Sequence, residues 1–184
     1  MSTTTWNIDP AHTEVGFAVR HLMISTVRGR FGNVSGSVVV DDDNPRNSKV
    51  DATVDIASID TRQEMRDNHL RSPDFFDAEK YPTMRFVSKR IEGDTAKHFK
   101  IVGDLTIKDR THEVTLDASL EGLVKDPWGG ERAGYSVSGK LNRTDFNLLW
   151  NQVLEAGGVT VGEEVKLSID VELVKQVAAA SAAA

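Results

Sequence analysis

The chain has 184 residues, 39% of them hydrophobic and 27% charged, which is the size and composition of one soluble domain with a sizeable core. Its 22 Lys and Arg against 28 Asp and Glu leave a net charge of -6, which repels phosphate backbones and argues against a nucleic-acid partner. With no cysteine, disulfide frameworks, thiolate nucleophiles and Cys-based metal sites are excluded together.

In chain order, the pattern predicts a first strand from Trp6 to Asp9, then a turn at Asp9-Pro10-Ala11-His12 that His12 stabilises. Val15, Phe17 and Val19 next alternate with Glu14, Gly16, Ala18 and Arg20, the period of a half-buried strand. His21 continues the apolar series. It is expected to face inward near a strand end, where it either meets a ligand head group or is satisfied by a backbone carbonyl. Val27 to Asp41, which contains Phe31, reads as one long strand bent at Gly32 or Gly36. Arg20, Arg28 and Arg30 cluster in sequence there, either as a solvated face or as a rim that attracts an anionic head group. Val50, Ala52, Val54 and Ile56 form the apolar phase of the following strand.

A helix is predicted from Arg62 to Arg71, with Thr61 and Glu64 spaced as a capping box and Ser72-Pro73 as its end. Asp74 to Pro82 then places Phe75 and Phe76 in a polar loop, where two adjacent aromatics need an apolar opening to cover. Thr83 to Ile91, with Phe86, is the next strand. Phe99, Ile101, Gly103, Leu105 and Ile107 alternate with polar residues, Asp109-Arg110 turns, and Val114, Leu116, Ala118 and Leu120 return. Tyr135, Val137, Gly139 and Leu141 form another strand, and Val165 to Leu173 the last. Between these two, Asn142 to Gly162 carries Phe146 and Trp150 and a short helix ending at Gly157-Gly158. Residues 1–177 make the domain, and 178–184 an alanine-rich tail that is frayed or transiently helical.

About eight antiparallel strands, each apolar on one face, must close into a barrel or stack as a sandwich, and the length of the strands favours the barrel. The expected fold is therefore all-β, an extended eight-stranded antiparallel barrel with a short helix and aromatic loops near one end. Small residues on the inward phase, Ala52, Gly103, Ala118 and Gly139, either relieve crowding or leave a cavity. Combined with tall strands, a long apolar cavity suited to an extended hydrocarbon chain is the stronger reading. The candidate ligand-contacting residues are then Phe17, Val19, His21 and Phe31 from the first half, with Val54, Ile56, Phe75, Phe76 and Phe86. Ile101, Leu105, Leu116, Ala118 and Leu120 follow, then Tyr135, Val137, Gly139, Leu141, Phe146 and Trp150.

The five histidines show no metal-ligand spacing, Gly-x-Ser-x-Gly is absent, and Gly29-Arg30-Phe31-Gly32 has no helix after it to cradle a phosphate. No cofactor, metal or catalytic residue is assigned. Asp74 and Asp145 are the carboxylates placed to lie near a cavity. Residues 1–7 lack the basic and apolar stretches of a leader, and no apolar run can span a bilayer, so a cytoplasmic location is expected.

Trp6-Asn7-Ile8-Asp9-Pro10-Ala11-His12, Val19-Arg20-His21-Leu22-Met23, Val27-Arg28-Gly29-Arg30-Phe31 and Ser72-Pro73-Asp74-Phe75-Phe76-Asp77 resemble the YceI-like family. Tyr81-Pro82, Gly103-Asp104-Leu105-Thr106-Ile107, Arg143-Thr144-Asp145-Phe146 and Val161-Gly162-Glu163-Glu164-Val165 continue the likeness in order. It implies a lipocalin-like barrel around a polyisoprenoid or similar long-chain amphiphile, and a homodimer. It implies no catalytic set. The expected function is non-catalytic binding of a polyprenyl or quinone-like lipid for storage, transport or shielding. The alternatives are an enzyme acting on such a lipid in the same cavity and a ligand-free interaction protein.

Overall fold

The computed structural model describes residues 1–177; the predicted tail, residues 178–184, lies outside the described residues. Eleven strands are formed: β1 Thr3–Ile8, β2 Glu14–His21, β3 Ser25–Phe31, β4 Val34–Asp41, β5 Lys49–Asp55, β6 Ile59–Asp60, β7 Thr83–Asp94, β8 His98–Ile107, β9 Arg110–Lys125, β10 Glu131–Asn142 and β11 Val161–Lys175. A single described helix, α1, covers Glu64–Arg71. Strands β1-β4-β5-β7-β8-β9-β10-β11 follow one another, and a further β1–β11 pairing closes them into an eight-stranded antiparallel barrel. Every neighbour pair is antiparallel because short turns connect most of them.

The length of β11 makes this closure possible. Its 15 residues, about 50 Å of extended chain, pair with β2 along Val161–Asp170 and with β1 along Leu173–Lys175. β1 and β2 thus share one edge of β11, divided by the turn at Pro10–His12 that the sequence predicts. β2, β3 and β6 extend the sheet from that edge towards α1.

Three expectations change. Val27 to Asp41 is two strands, because the chain leaves β2 at Phe31 and re-pairs with β1 and β5 from Val34, with the Asn33 carbonyl accepting from the Asp55 N–H between them. The helix starts at Glu64, and no capping box forms. Thr61 is buried and its N–H and Oγ1–H both donate to Asp67 Oδ1, while Arg62 is left-handed at φ 64, so Thr61 cannot cap the first turn. Gly157 and Gly158 end no helix. With φ of 84 and 95 they turn the chain so that Val153 bridges Val159, and the helical turn in this region is a 3-10 turn at Arg143–Phe146.

The register places α1, the Leu22–Ile24 turn and residues 143–160 at one end of the barrel, called here the helix end. The Asp42–Ser48 loop and the turns at Thr95–Lys97 and Asp126–Gly130 lie at the other.

Candidate functional site

Inward-facing side chains of all eight barrel strands enclose a cavity of about 520 Å³, in the range of small-molecule pockets. Its wall is almost wholly apolar. It reaches from Val40, Pro45 and Thr95 at the far end to Leu70, Phe75, Phe76 and Val161 at the helix end. The cap there is aromatic: Phe76 stands edge-on to Phe31 at 5.8 Å, Phe31 tilts against Phe17 at 5.5 Å, and Phe75 packs on Trp150 at 5.4 Å.

Of the predicted residues, Phe17, Val19, Phe31 and Val54 lie on this wall, with Phe75, Phe76 and Phe86. So do Ile101, Leu105, Leu116, Ala118, Tyr135, Val137 and Leu141. Six predicted positions do not. His21 is half-buried beside the Leu22–Ile24 turn, with its carbonyl accepting from Ile24 N–H and Ser25 Oγ. Ile56 and Phe146 are packed into the core at 1% exposure each, Phe146 edge-on to His112. Leu120 sits opposite Tyr135 and donates its N–H to the Lys97 carbonyl. Trp150 lies behind the wall against His69. A Cβ on Gly139 would meet Leu116 Cδ2 at 2.8 Å, so that glycine makes room for leucine.

Gly103 does the same for Phe86, whose Cζ would stand 2.5 Å from a Cβ there, while Ala52 and Ala118 lie on the cavity wall, Ala118 with only 1% exposure. The small inward residues therefore divide: the glycines relieve crowding and the alanines border the cavity. Further wall residues, among them Val38, Met84 and Ile169, share the inward phase of their strands and were legible by that rule. Arg143 was not. It is 4% exposed in the 3-10 turn, and its guanidinium donates to the carbonyls of Gly162, Leu148, Trp150 and Val161. Burial lowers its pKa from the ordinary arginine value.

Tyr135 is one of the few polar residues on the wall. Its ring stands edge-on to Phe99, its hydroxyl is not engaged by another described side chain, and burial alone raises its pKa, which keeps it a neutral donor at ordinary pH. The predicted carboxylates are elsewhere: Asp74 is exposed and bonds His69 Nε2 at 2.8 Å, and Asp145 is exposed.

Outside the cavity, Asp9, His12 and Glu172 bring three potential ligand atoms within 4.8 Å of one another, a grouping the sequence spacing did not reveal. Arg132 donates to the same oxygens, Asp9 Oδ2 at 2.9 Å and Glu172 Oε1 at 2.6 Å, so an internal cation already balances these carboxylates. The hydrogen bond to His12 holds Asp9 below the usual carboxylate value, and the same bond, then the charge of Glu172, raises His12 above 6.5. The stabilisation from His12 is therefore present below its unfolded pKa and lost as pH rises through the raised folded value. That from Asp9 is present above about 3.8 and lost as pH falls through the lowered value. An NMR titration should place the His12 midpoint above 6.5, and Asp9→Asn should return it towards 6.5. An unchanged midpoint in that variant contradicts the pairing.

Comparison with known proteins agrees with this geometry. A family model described as the YceI-like domain matches residues 6–173. A UPF0312 protein of Staphylococcus epidermidis is 41% identical over 170 residues, 92% of this chain and 96% of the relative. A crystal structure of a Campylobacter jejuni YceI protein is 35% identical with a TM-score of 0.71, covering 86% of this chain and 90% of that one. A polyisoprenoid-binding domain from Saccharophagus degradans shares the fold, with a TM-score of 0.67 at 13% identity over 94% of this chain and 98% of that one.

Proposed function

The chain belongs to the YceI-like family, and from that premise we propose that it binds a long-chain isoprenoid lipid, polyprenyl or quinone-like, and does so without catalysis. The observation that carries this reading is the apolar cavity running between the two ends of the barrel. Burial of apolar surface supplies the affinity, at about 0.8 kcal/mol for each methylene-sized group. The fold shared with a polyisoprenoid-binding domain supports the ligand class. A binding role fits the polar groups on the wall: Arg143 is committed to backbone carbonyls, Arg85 to Asp51, and the Ser48 hydroxyl to the Asp41 N–H. The ligand is stored, carried or shielded from water. A homodimer and a cytoplasmic site of action complete the reading, checked by light scattering and by cell fractionation.

Native mass spectrometry of the purified protein, followed by extraction, tests the proposal. The expected result is a non-covalent adduct that releases an isoprenoid. Protein that is purified empty and then fails to take up farnesol or a longer isoprenoid overturns it. Tyr135 offers a finer test, because its free hydroxyl is placed to bond a polar group on the ligand. Tyr135→Phe should weaken binding of a quinone-like lipid by about 1 kcal/mol, roughly fivefold, and leave that of a headless isoprenoid hydrocarbon unchanged. Equal losses for both ligands contradict the polar contact.

A further inference from the structure

We propose that the helix end of the barrel docks onto a lipid bilayer through the apolar tips formed by Met23, Ile24 and Val153. These residues are 59%, 78% and 83% exposed, and Leu149, in the same segment as Val153, is exposed to 59%. The tips belong together: Leu22 N–H donates to the Thr160 carbonyl, and the Met23 thioether lies over Gly158.

The turn joining β2 to β3 carries the strongest signal. Leu22 and Met23 both sit in the left-handed region, with φ of 50 and 61. A hairpin turn of that kind favours Asn-Gly, which meets neither the steric cost nor the exposure of apolar side chains. This chain instead places Leu-Met-Ile on the tip. Apolar residues held on loop tips, rather than lining a groove, suit the soft interface of a bilayer better than the rigid surface of a protein partner.

Charge points the same way. Arg20 and Arg28 are diagonal neighbours on the outward face of the same hairpin, and neither has a carboxylate within ion-pair distance among the described residues, whereas Arg30 pairs with Glu14 and Asp60. Two guanidinium groups without a carboxylate partner stand behind the apolar tip, Arg20 donating to the Met23 carbonyl and Thr26 Oγ1, and they match the order of phosphate and acyl chain in a membrane surface. They act against the net charge of -6 over the whole chain, so the attraction is local to this hairpin.

The tips also adjoin the cavity. Val161, a wall residue, pairs with His21 next to the turn, and Val165 pairs with Val19, another wall residue. The proposal rests on the lipid-binding reading for its purpose, since a surface of this kind would let a membrane-borne chain pass into the barrel.

The test is sedimentation of the full chain with vesicles of phosphatidylcholine containing about one quarter phosphatidylglycerol, alongside farnesol binding in vesicle-free buffer. The double variant Met23→Asp with Ile24→Asp should lower vesicle affinity at least about tenfold, and it should fold, because Asp tolerates a left-handed turn better than Met. Arg20→Gln with Arg28→Gln should lower affinity for these vesicles and change affinity for pure phosphatidylcholine less. Leu123→Asp and Trp128→Asp, exposed at the other end, should leave it unchanged. A wild type that does not sediment with vesicles overturns the proposal, as does equal loss from substitutions at either end. It is also overturned if the double variant keeps vesicle binding but loses self-association, which would make the patch a protein interface. Farnesol separates the two readings: vesicle binding without farnesol uptake sinks the cavity reading and keeps the docking surface.

Discussion

Ala118→Trp should bind long isoprenoid chains at least about tenfold more weakly than the wild type while remaining folded and still binding short ones. Ala118 lies on β9 between Phe99 of β8 and Val137 of β10, and its small side chain, 1% exposed, is part of the cavity wall. An indole there takes the place of ligand. Displacing even two methylene-sized groups from apolar contact removes about 1.6 kcal/mol, more than tenfold in Kd. A packed barrel would respond differently, because forcing a large ring into filled space costs about 1–3 kcal/mol of stability and sometimes more.

Gly139→Trp supplies the contrast on the neighbouring strand. There the space a Cβ would need is already held by Leu116, so this variant should lose stability at the upper end of about 1–3 kcal/mol or beyond. Ser138→Trp, outward and exposed, should be nearly neutral. Denaturant melts and ligand titrations of the three variants decide the matter. If Ala118→Trp unfolds as readily as Gly139→Trp, the interior at Ala118 is filled. If it folds and binds the longest chains normally, the ligand does not pass Ala118.

Arg143→Met is expected to be the most damaging single substitution among those considered. Met keeps much of the length and apolar volume of the stem but none of the donors. The carbonyls of Gly162, Leu148 and Trp150 would then lose their partner, that of Val161 keeping Asn151 Nδ2, and with it would go much of the clamp that holds residues 147–162 onto the helix end. An unsatisfied buried acceptor costs about 1–3 kcal/mol, and water reaching the opened loop recovers part of this, so the net loss should be about 3 kcal/mol or more. Arg143→Lys should rescue only a minor part, because an ammonium has three donors and no planar fork. Urea denaturation followed by tryptophan fluorescence reads both the stability and the loosening of Trp150. A loss below about 1 kcal/mol would show that the loop holds without the clamp.

Alternation along the chain, together with the length of the strands, was enough to favour the barrel and to mark most of the wall. The reason is geometric: a strand buried on one face writes its orientation into every second residue, and a register slip of one would turn the whole set outward. Phe17, Val54, Ile101, Leu116 and Val137 were legible for this reason, and so was the aromatic loop at Phe75 and Phe76, which had to cover something apolar. Period alone could not say which inward positions border empty space. Gly139 and Ala118 carry the same signal in sequence, yet Leu116 fills the space beside one and the cavity lies beside the other, a difference set by the side chain on the adjacent strand. Tertiary structure likewise decided the helix start, where Asp67 captures Thr61 from six residues away, and the role of Arg143, whose four acceptors lie in the following loop and at the start of β11. Each depends on a partner distant in sequence or on a loop with no periodicity, and the local pattern of residues carries no record of such a partner.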